Sequence, residues 1–299
     1  MGTLHSTQLI DALTGSSSAS NIPAGLTYLG QLIAHDIVRP TNPSILDSEL
    51  QSKFPTTPFL NLDSLYGNLN KSKPYFNLTE IKFTNNDEYK NGIIGYDFHR
   101  KLVTSGNNNL HRAMIPDRRN DDNSLVAQLA GLWQKFHNSI LENGFAANFE
   151  EAKSITVCTF QLIVMEEFLR NIIEPKVYIA YTKKNVRFYP SQALDTIPTY
   201  FSHAVFRFGH SMVRKRYSIR NDTTSENKNI STFFRADTKL TPEFVIDWTV
   251  LFNVSPSQGV KASSIDTQIF NEMRKVQRIN TKKDIDVIKK IWRLPIRKI

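Results

Sequence analysis

Three stretches of this chain carry residue types that could do chemistry. In GLTYLGQLIAHD, from Gly25 to Asp36, Gln31 and His35 lie four residues apart and stack on one face of a helix, with Asp36 following at once. Leu29, Leu32 and Ile33 supply an apolar side. A buried, unsatisfied polar group costs about 1–3 kcal/mol, so a glutamine and a histidine on such a helix need either a hydrogen-bond partner or a task. In IPDRRNDDN, from Ile115 to Asn123, Arg119 and Asp122 are three apart, a charge mixture that serves as solvated helix capping or as part of a site. In FSHAVFRFGH, His203 and His210 are seven apart on one helical face. Gly209 removes bulk beside His210, which lets a flat ligand or another backbone approach. Imidazoles exchange protons near neutral pH and ligate metals. Read one at a time, each stretch is the ordinary core histidine or capped helix start rather than a site.

The elements that would position these residues are mostly helical. The first is the run from Gly25. Pro40 to Pro58 holds four prolines and reads as a loop. FLNLDSLYGN, Phe59 to Asn68, is a short strand or a structured loop, and residues 70–110 are polar, Asn-rich and irregular with a few short elements. Leu125, Leu129, Leu132 and Phe136 recur at three and four and predict a long helix from Ser124 to about Asn143, with Asp121 and Asp122 at the positive end of its dipole. A second long helix is expected from about Phe149 to Ile173, stopped near Pro175. A turn is expected around Pro198, a third helix over Tyr200 to Val213, and a fourth from Thr241, which would cap it. Residues 1–22 are polar and Ser-rich and read as a flexible arm, followed by one mainly α domain over 23–299 with long loops and few short strands. The tail from Lys282 is basic and amphipathic.

Composition narrows the function classes. Hydrophobic content is 40% and charged content 22%, ordinary for a globular protein. The net charge of +9 favours anionic surfaces or substrates, but no recognition helix, zinc-finger spacing or aromatic-interleaved basic motif argues for nucleic acid. No apolar run is long enough to span a membrane, and no basic segment with an apolar core opens the chain as a signal peptide would, which leaves the compartment open. The only cysteine, Cys158, sits in the apolar run TVCTFQLIV and reads as a small buried hydrophobe.

Taken together, four stretches resemble one family, the animal-type haem peroxidases with their bacterial members. GLTYLGQLIAHD looks like the distal helix, FLNLDSLYG like the calcium-loop segment, DRRNDDNSLVAQLAGLWQKFHN like the helix carrying the distal arginine, and VFRFGHSMVRKRY like the proximal helix. They stand in the family's order over about residues 22–220. The resemblance implies the haem peroxidase fold and haem-dependent reduction of hydrogen peroxide, with oxidation of small organic or halide donors and a place in the response to oxidative stress. It implies that His35 takes a proton from hydrogen peroxide and returns it to the departing oxygen, which is acid–base work suited to imidazole. Arg119 would stabilise negative charge as the O–O bond breaks. Gln31 would line the same pocket, and Arg207 would sit beside the haem. His210 would be the axial ligand of the haem iron. Asp36, Thr57, Phe59 through its carbonyl, Asn61 and Asp63 would hold calcium, whose preference is for oxygen ligands.

The departures from the family pattern carry their own implications. Members that esterify haem use the residue just before the distal histidine, which here is Ala34 and cannot form an ester. The second ester carboxylate would be Asp122, a methylene shorter than the usual glutamate, so non-covalent haem b is expected. Asn61 replaces a usual aspartate of the calcium loop, and Asp63 restores that charge. The family's block of the Arg-Gly-Arg-Asp-His-Gly-Leu-Pro type has only a faint echo in IWRLPIRKI, so the usual C-terminal part is expected to be missing. A non-catalytic or degenerate haem-binding homologue is the alternative that this absence favours. A fatty-acid dioxygenase would need a tyrosine three residues before the proximal histidine, where this chain has Arg207.

Overall fold

The computed structural model describes residues 19–38, 59–67, 76–77, 82–83, 85–86, 97–106, 108–184, 197, 201, 205–221, 227–254 and 259–266. Thr57, His203, the expected turn at Pro198, the loop from Pro40 to Pro58 and the basic tail lie outside them. In chain order the main elements are strand β1 (Ala19–Pro23), helix α1 (Gly25–Ile37), the single turn α2 (Asp63–Tyr66), strands β2 (Arg100–Ser105) and β3 (Asn108–Ala113), and helices α3 (Ser124–Glu142), α4 (Phe149–Ile163) and α5 (Pro175–Thr182), with strand β4 (Lys261–Ser263) at the end. The fold is mainly α with few short strands, as the sequence implies.

The chain divides into two compact units, with the boundary inside α1 between Thr27 and Tyr28. The larger comprises residues 28–197 and 235–247. Its spine is α3, capped by Asn123, whose side chain accepts from the Val126 amide at 2.9 Å. α4 starts behind a second asparagine cap, Asn148, and buries Ala152, Thr156, Phe160 and Val164 at four-residue spacing. It continues through a wider π turn over Val164–Leu169 to Ile172, close to the expected end. Cys158 falls on the opposite face of α4 and is exposed, which corrects the buried placement. The α4 face follows the four-residue rhythm, and Cys158 sits between its steps. Gly30 of α1 lets the Phe168 ring approach to 3.0 Å of where a Cβ would stand.

Two further expectations are corrected in this unit. The segment before Ala113 contains a regular antiparallel hairpin, β2 with β3, registered from Arg100 opposite Ala113 to Ser105 opposite Asn108. No α-helix starts at Thr241. Pro242–Phe244 is a single 3-10 turn, Thr241 makes no cap bond, and Val245 is extended. Phe244, Val245 and Ile246 are buried in succession, which a helix cannot do on one face. From Val245 the chain runs extended past Gln128 of α3, which donates to the Phe244 carbonyl at 2.9 Å and accepts from the Ile246 amide at 3.0 Å. A four-residue helix, Trp248–Leu251, follows in the other unit.

That smaller unit comprises residues 1–27, 198–234 and 248–299. β1 pairs antiparallel with β4, and the Ala24 amide donates to the Val260 carbonyl at 2.9 Å. In place of the expected α-helix over Tyr200 to Val213, the described residues Val205–Met212 form a 3-10 helix. Ser211 Oγ accepts from the Asp266 amide at 3.1 Å, and Arg214 donates to the Lys261 carbonyl at 2.7 Å, so the segment is anchored next to β4.

Candidate functional site

His35 lies in the last turn of α1 and is buried, as is Asp36 beside it. The His35 ring places Nδ1 2.8 Å from Asn120 Oδ1, while Asn120 Nδ2 donates to the Ser64 carbonyl at 3.2 Å. The two Asp36 oxygens accept from the amides of Leu62 and Ser64, each at 3.0 Å. One carboxylate thus ties the loop before α2 to the end of α1. Leu60 and Leu62 hold φ of 51° and 56°, conformations that cost a non-glycine residue about 1–3 kcal/mol each. Complete burial of Leu62 and the Asp36 bonds hold the loop there, and Gln161 of α4 donates to the Phe59 and Leu60 carbonyls at 3.1 and 3.4 Å.

Arg119 reaches the same helix end from a different side. Its Nη1 donates to the Val38 carbonyl at 2.8 Å and its Nη2 to the His35 carbonyl at 2.6 Å, satisfying carbonyls that the last helical turn leaves open. Nε and Nη2 also bind the Asp117 carboxylate. Burial pushes the Asp117 carboxyl up, but the Arg119 guanidinium outweighs it and holds Asp117 below its usual range. Gln31, half-buried, accepts from Asn123 Nδ2 at 3.3 Å. The structure therefore brings Gln31, His35, Asp36 and Arg119 together around the end of α1. Arg119 meets residue 35 at its main chain. Asp122 follows the short 3-10 turn Arg118–Asp121 and is half-buried.

A buried ion-pair cluster fixes this turn. Arg100, at the start of β2, donates to Asp97 at 2.8 Å and to both oxygens of Asp121 at 2.7 and 2.9 Å, with a further bond to the His111 carbonyl. Asp121 accepts in addition from the Asp237 amide, and Asp97 from the Leu240 amide. Burial pushes the Asp121 carboxyl above its usual value against the pull of Arg100. These bonds place the residue immediately after Asn120.

His210 belongs to the smaller unit and is half-buried in the 3-10 helix. Its Nδ1 lies 2.8 Å from the Arg207 carbonyl, which can only accept, so Nδ1 carries the proton and Nε2 the lone pair. Burial and the Arg207 charge hold the imidazole below its usual pKa, keeping it neutral and able to ligate. No atom lies within 4 Å of where a Gly209 Cβ would stand, so there is open space beside the ring.

Asn120, Asn123 and Asp117 are site residues that the motif reading passed over, although all lie in the stretch it singled out. Asn123 was legible as an N-cap, since it precedes the apolar-periodic run of α3. Asn120 carried no such signal, because its partner stands 85 positions away.

The family model described as animal haem peroxidase matches residues 51–288. The chain belongs to the animal haem peroxidase family. Among solved structures, peroxidase A from Dictyostelium discoideum superposes with a TM-score of 0.55 at 14% identity, covering 89% of this chain and 62% of that one. The fatty acid alpha-dioxygenase of Oryza sativa superposes with a TM-score of 0.53 at 13% identity, covering 93% of this chain and 63% of that one. The chain thus spans little more than six-tenths of either structure's length, and at these identities the likeness is one of fold. No curated protein matches the sequence.

The family implies haem, and the residues present fit it: a histidine with its lone pair on Nε2 beside an open glycine position. In the loop, both Asp36 oxygens accept from backbone amides, and burial with the nearby Asp63 charge pushes the Asp36 carboxyl up to about 6. Among the described residues no three His, Cys, Asp or Glu side chains gather as a metal set. No helix among the described residues is long and apolar enough to cross a membrane.

Proposed function

We propose that the protein is a haem-dependent peroxidase that reduces hydrogen peroxide and oxidises small organic or halide donors. The observation that carries this reading is His210, whose Nδ1 donates to the Arg207 carbonyl and whose lone pair is therefore on Nε2. Haem, when bound, supplies the redox chemistry. His210 would hold the iron, and its bond to a neutral carbonyl leaves it a neutral imidazole donor with less imidazolate character than a carboxylate partner would give. His35 would take the proton from the oxygen of hydrogen peroxide that stays and return it to the other oxygen as that one departs. Arg119 adds positive charge near this base, and its bonds to the His35 and Val38 carbonyls keep the helix end in place. Gln31 orients peroxide or a water. Asp36 and Asp63, with Asn61, Thr57 and the Phe59 carbonyl, would hold calcium between the loop and α1. Haem is held without esters, since Ala34 has no carboxylate to give and Asp122 is a methylene shorter than the usual glutamate.

The test is reconstitution of the full chain with haem. A Soret band that is lost in His210→Ala, with peroxide-dependent oxidation of a phenolic donor that is lost in His35→Leu, is the expected result. Absence of a Soret band overturns the reading. A Soret band without turnover converts it to the non-catalytic homologue. Acid–acetone extraction removes the haem if it is unesterified. The dioxygenase reading has the rice structure's fold likeness behind it, but Arg207 stands where its radical tyrosine would be.

A further inference from the structure

We infer that Asn120 is the positioning residue that fixes the tautomer of His35 and so makes it a base. The inference rests on the peroxidase reading for its consequence, but not for its geometry. The Ser64 carbonyl can only accept, so the Asn120 atom 3.2 Å from it is the NH₂ group. That orients Oδ1 toward His35, 2.8 Å from Nδ1. An amide oxygen cannot donate, so in the neutral ring Nδ1 carries the hydrogen and Nε2 the lone pair. An unconstrained histidine prefers the opposite tautomer, with the hydrogen on Nε2, which could donate to peroxide but not accept its proton. Asn120 reverses that preference.

The arrangement is a closed ring of bonds. His35 donates to Asn120, Asn120 donates to the Ser64 carbonyl, and the Ser64 amide donates to Asp36, the next residue after His35. Each member is buried, so water does not compete for the bonds. The loop that binds Asp36 therefore also sets which way the Asn120 amide faces. Neither Asn120 nor Ser64 needs to touch peroxide for this. Rotamers locked in such a shell hold a catalytic group to a fraction of an ångström.

The experiment reads the tautomer directly, by two-bond nitrogen–proton NMR correlation of the full chain labelled with ¹⁵N, at a pH where the ring is neutral. His35→Gln identifies the His35 signals. The expected wild-type result is a protonated Nδ1 and an unprotonated Nε2. Asn120→Leu should shift His35 to the Nε2–H form, while Asn120→Asp, which keeps an acceptor oxygen, should retain Nδ1–H. A wild-type ring protonated on Nε2, or an Nδ1–H ring that persists in Asn120→Leu, overturns the inference. The wild-type spectrum and Asn120→Asp decide it even if the leucine variant does not fold. In the haem-loaded chain, Asn120→Leu should lower kcat/KM for peroxide by the contribution of a general base, on the order of 10²–10⁴-fold, leaving KM for the reducing donor unchanged. Turnover that survives this substitution intact also overturns it. Failure to bind haem would sink the peroxidase reading instead, with the tautomer result standing.

Discussion

Replacing Arg100 by methionine tests whether the buried cluster at the start of β2 governs the site. The side chains of Arg100, Asp97 and Asp121 are 3%, 4% and 6% exposed, so the cluster is dry. It holds two carboxylates against one guanidinium. Methionine fills most of the volume and removes the guanidinium that bonds both acids. Removing one partner of a buried pair costs about 3–5 kcal/mol, because the remaining charge is left uncompensated. Asp121→Asn removes one charge of the surplus and leaves a balanced Arg100–Asp97 pair, so its cost should be nearer that of a single hydrogen bond to a charged group, about 1.5–3 kcal/mol at most. The pH dependence separates this from a packing defect. In the native chain burial already pushes Asp121 up while Arg100 pulls it down. Without Arg100 the folded-state carboxyl rises further above its unfolded value. A raised acid binds protons more readily folded than unfolded, so stability is lost as pH rises through the usual carboxylate range toward the raised folded value, and regained as pH falls. Urea melts of wild type, Arg100→Met and Asp121→Asn at pH 7 and pH 5 measure it. The Arg100→Met deficit should exceed that of Asp121→Asn at pH 7 and shrink at pH 5. A deficit under 1 kcal/mol, or one that does not change with pH, would refute the reasoning.

Three further outcomes follow from the same geometry. Asn123→Ala removes both the α3 cap and the bond to Gln31, and should cost about 1 kcal/mol in urea unfolding at unchanged m-value. A Cβ added at Gly209 would stand in open space, so Gly209→Ala should melt at the wild-type temperature while haem uptake, read from the Soret band, falls; a chain that binds haem as well as before would remove Gly209 from the site. Cys158, exposed on α4, should react with a maleimide in the folded chain at nearly the rate seen in urea, and protection would show that the α4 face is covered.

What was legible in the sequence were features whose signal is local. The apolar spacing from Leu125 to Phe136 announced α3, whose observed end at Glu142 lies one residue short of the expected one. The run from Gly25 announced α1 with Gln31 and His35 on it. Local signals misled where a tertiary partner won. Thr241, Pro242 and Glu243 spell a helix start, yet the three buried residues that follow gain more by running past Gln128 as a strand would. At Cys158 the apolar run predicts a buried face, whereas the true period selects Thr156 and Phe160 and leaves Cys158 outside. Residues whose partners are remote in sequence gave no signal at all. The bond from Arg100 to Asp121 spans 21 positions and the one from Asn120 to His35 spans 85.

Arg119 shows how a correct motif can conceal how the residue is used. The resemblance assigned it to developing charge on peroxide. In the fold its guanidinium is spent on Asp117 and on the carbonyls of His35 and Val38. The two uses are compatible for a physical reason. A guanidinium carries five donors but a single delocalised charge, and hydrogen bonds to carbonyls direct that charge without cancelling it. Asp117 does offset it, and the field felt at the His35 ring is then that of an ion pair rather than of a lone cation. Asp117→Asn would remove the offset while keeping an acceptor for Nε. If Arg119 works by its charge, this variant should speed the peroxide step. If Arg119 works only as the clamp on the end of α1, the step should be unchanged or slower as the clamp loosens. The sign of the effect on kcat/KM for peroxide decides between them, and Arg119→Lys, which keeps the charge but cannot bridge two carbonyls and a carboxylate at once, should show the opposite ranking.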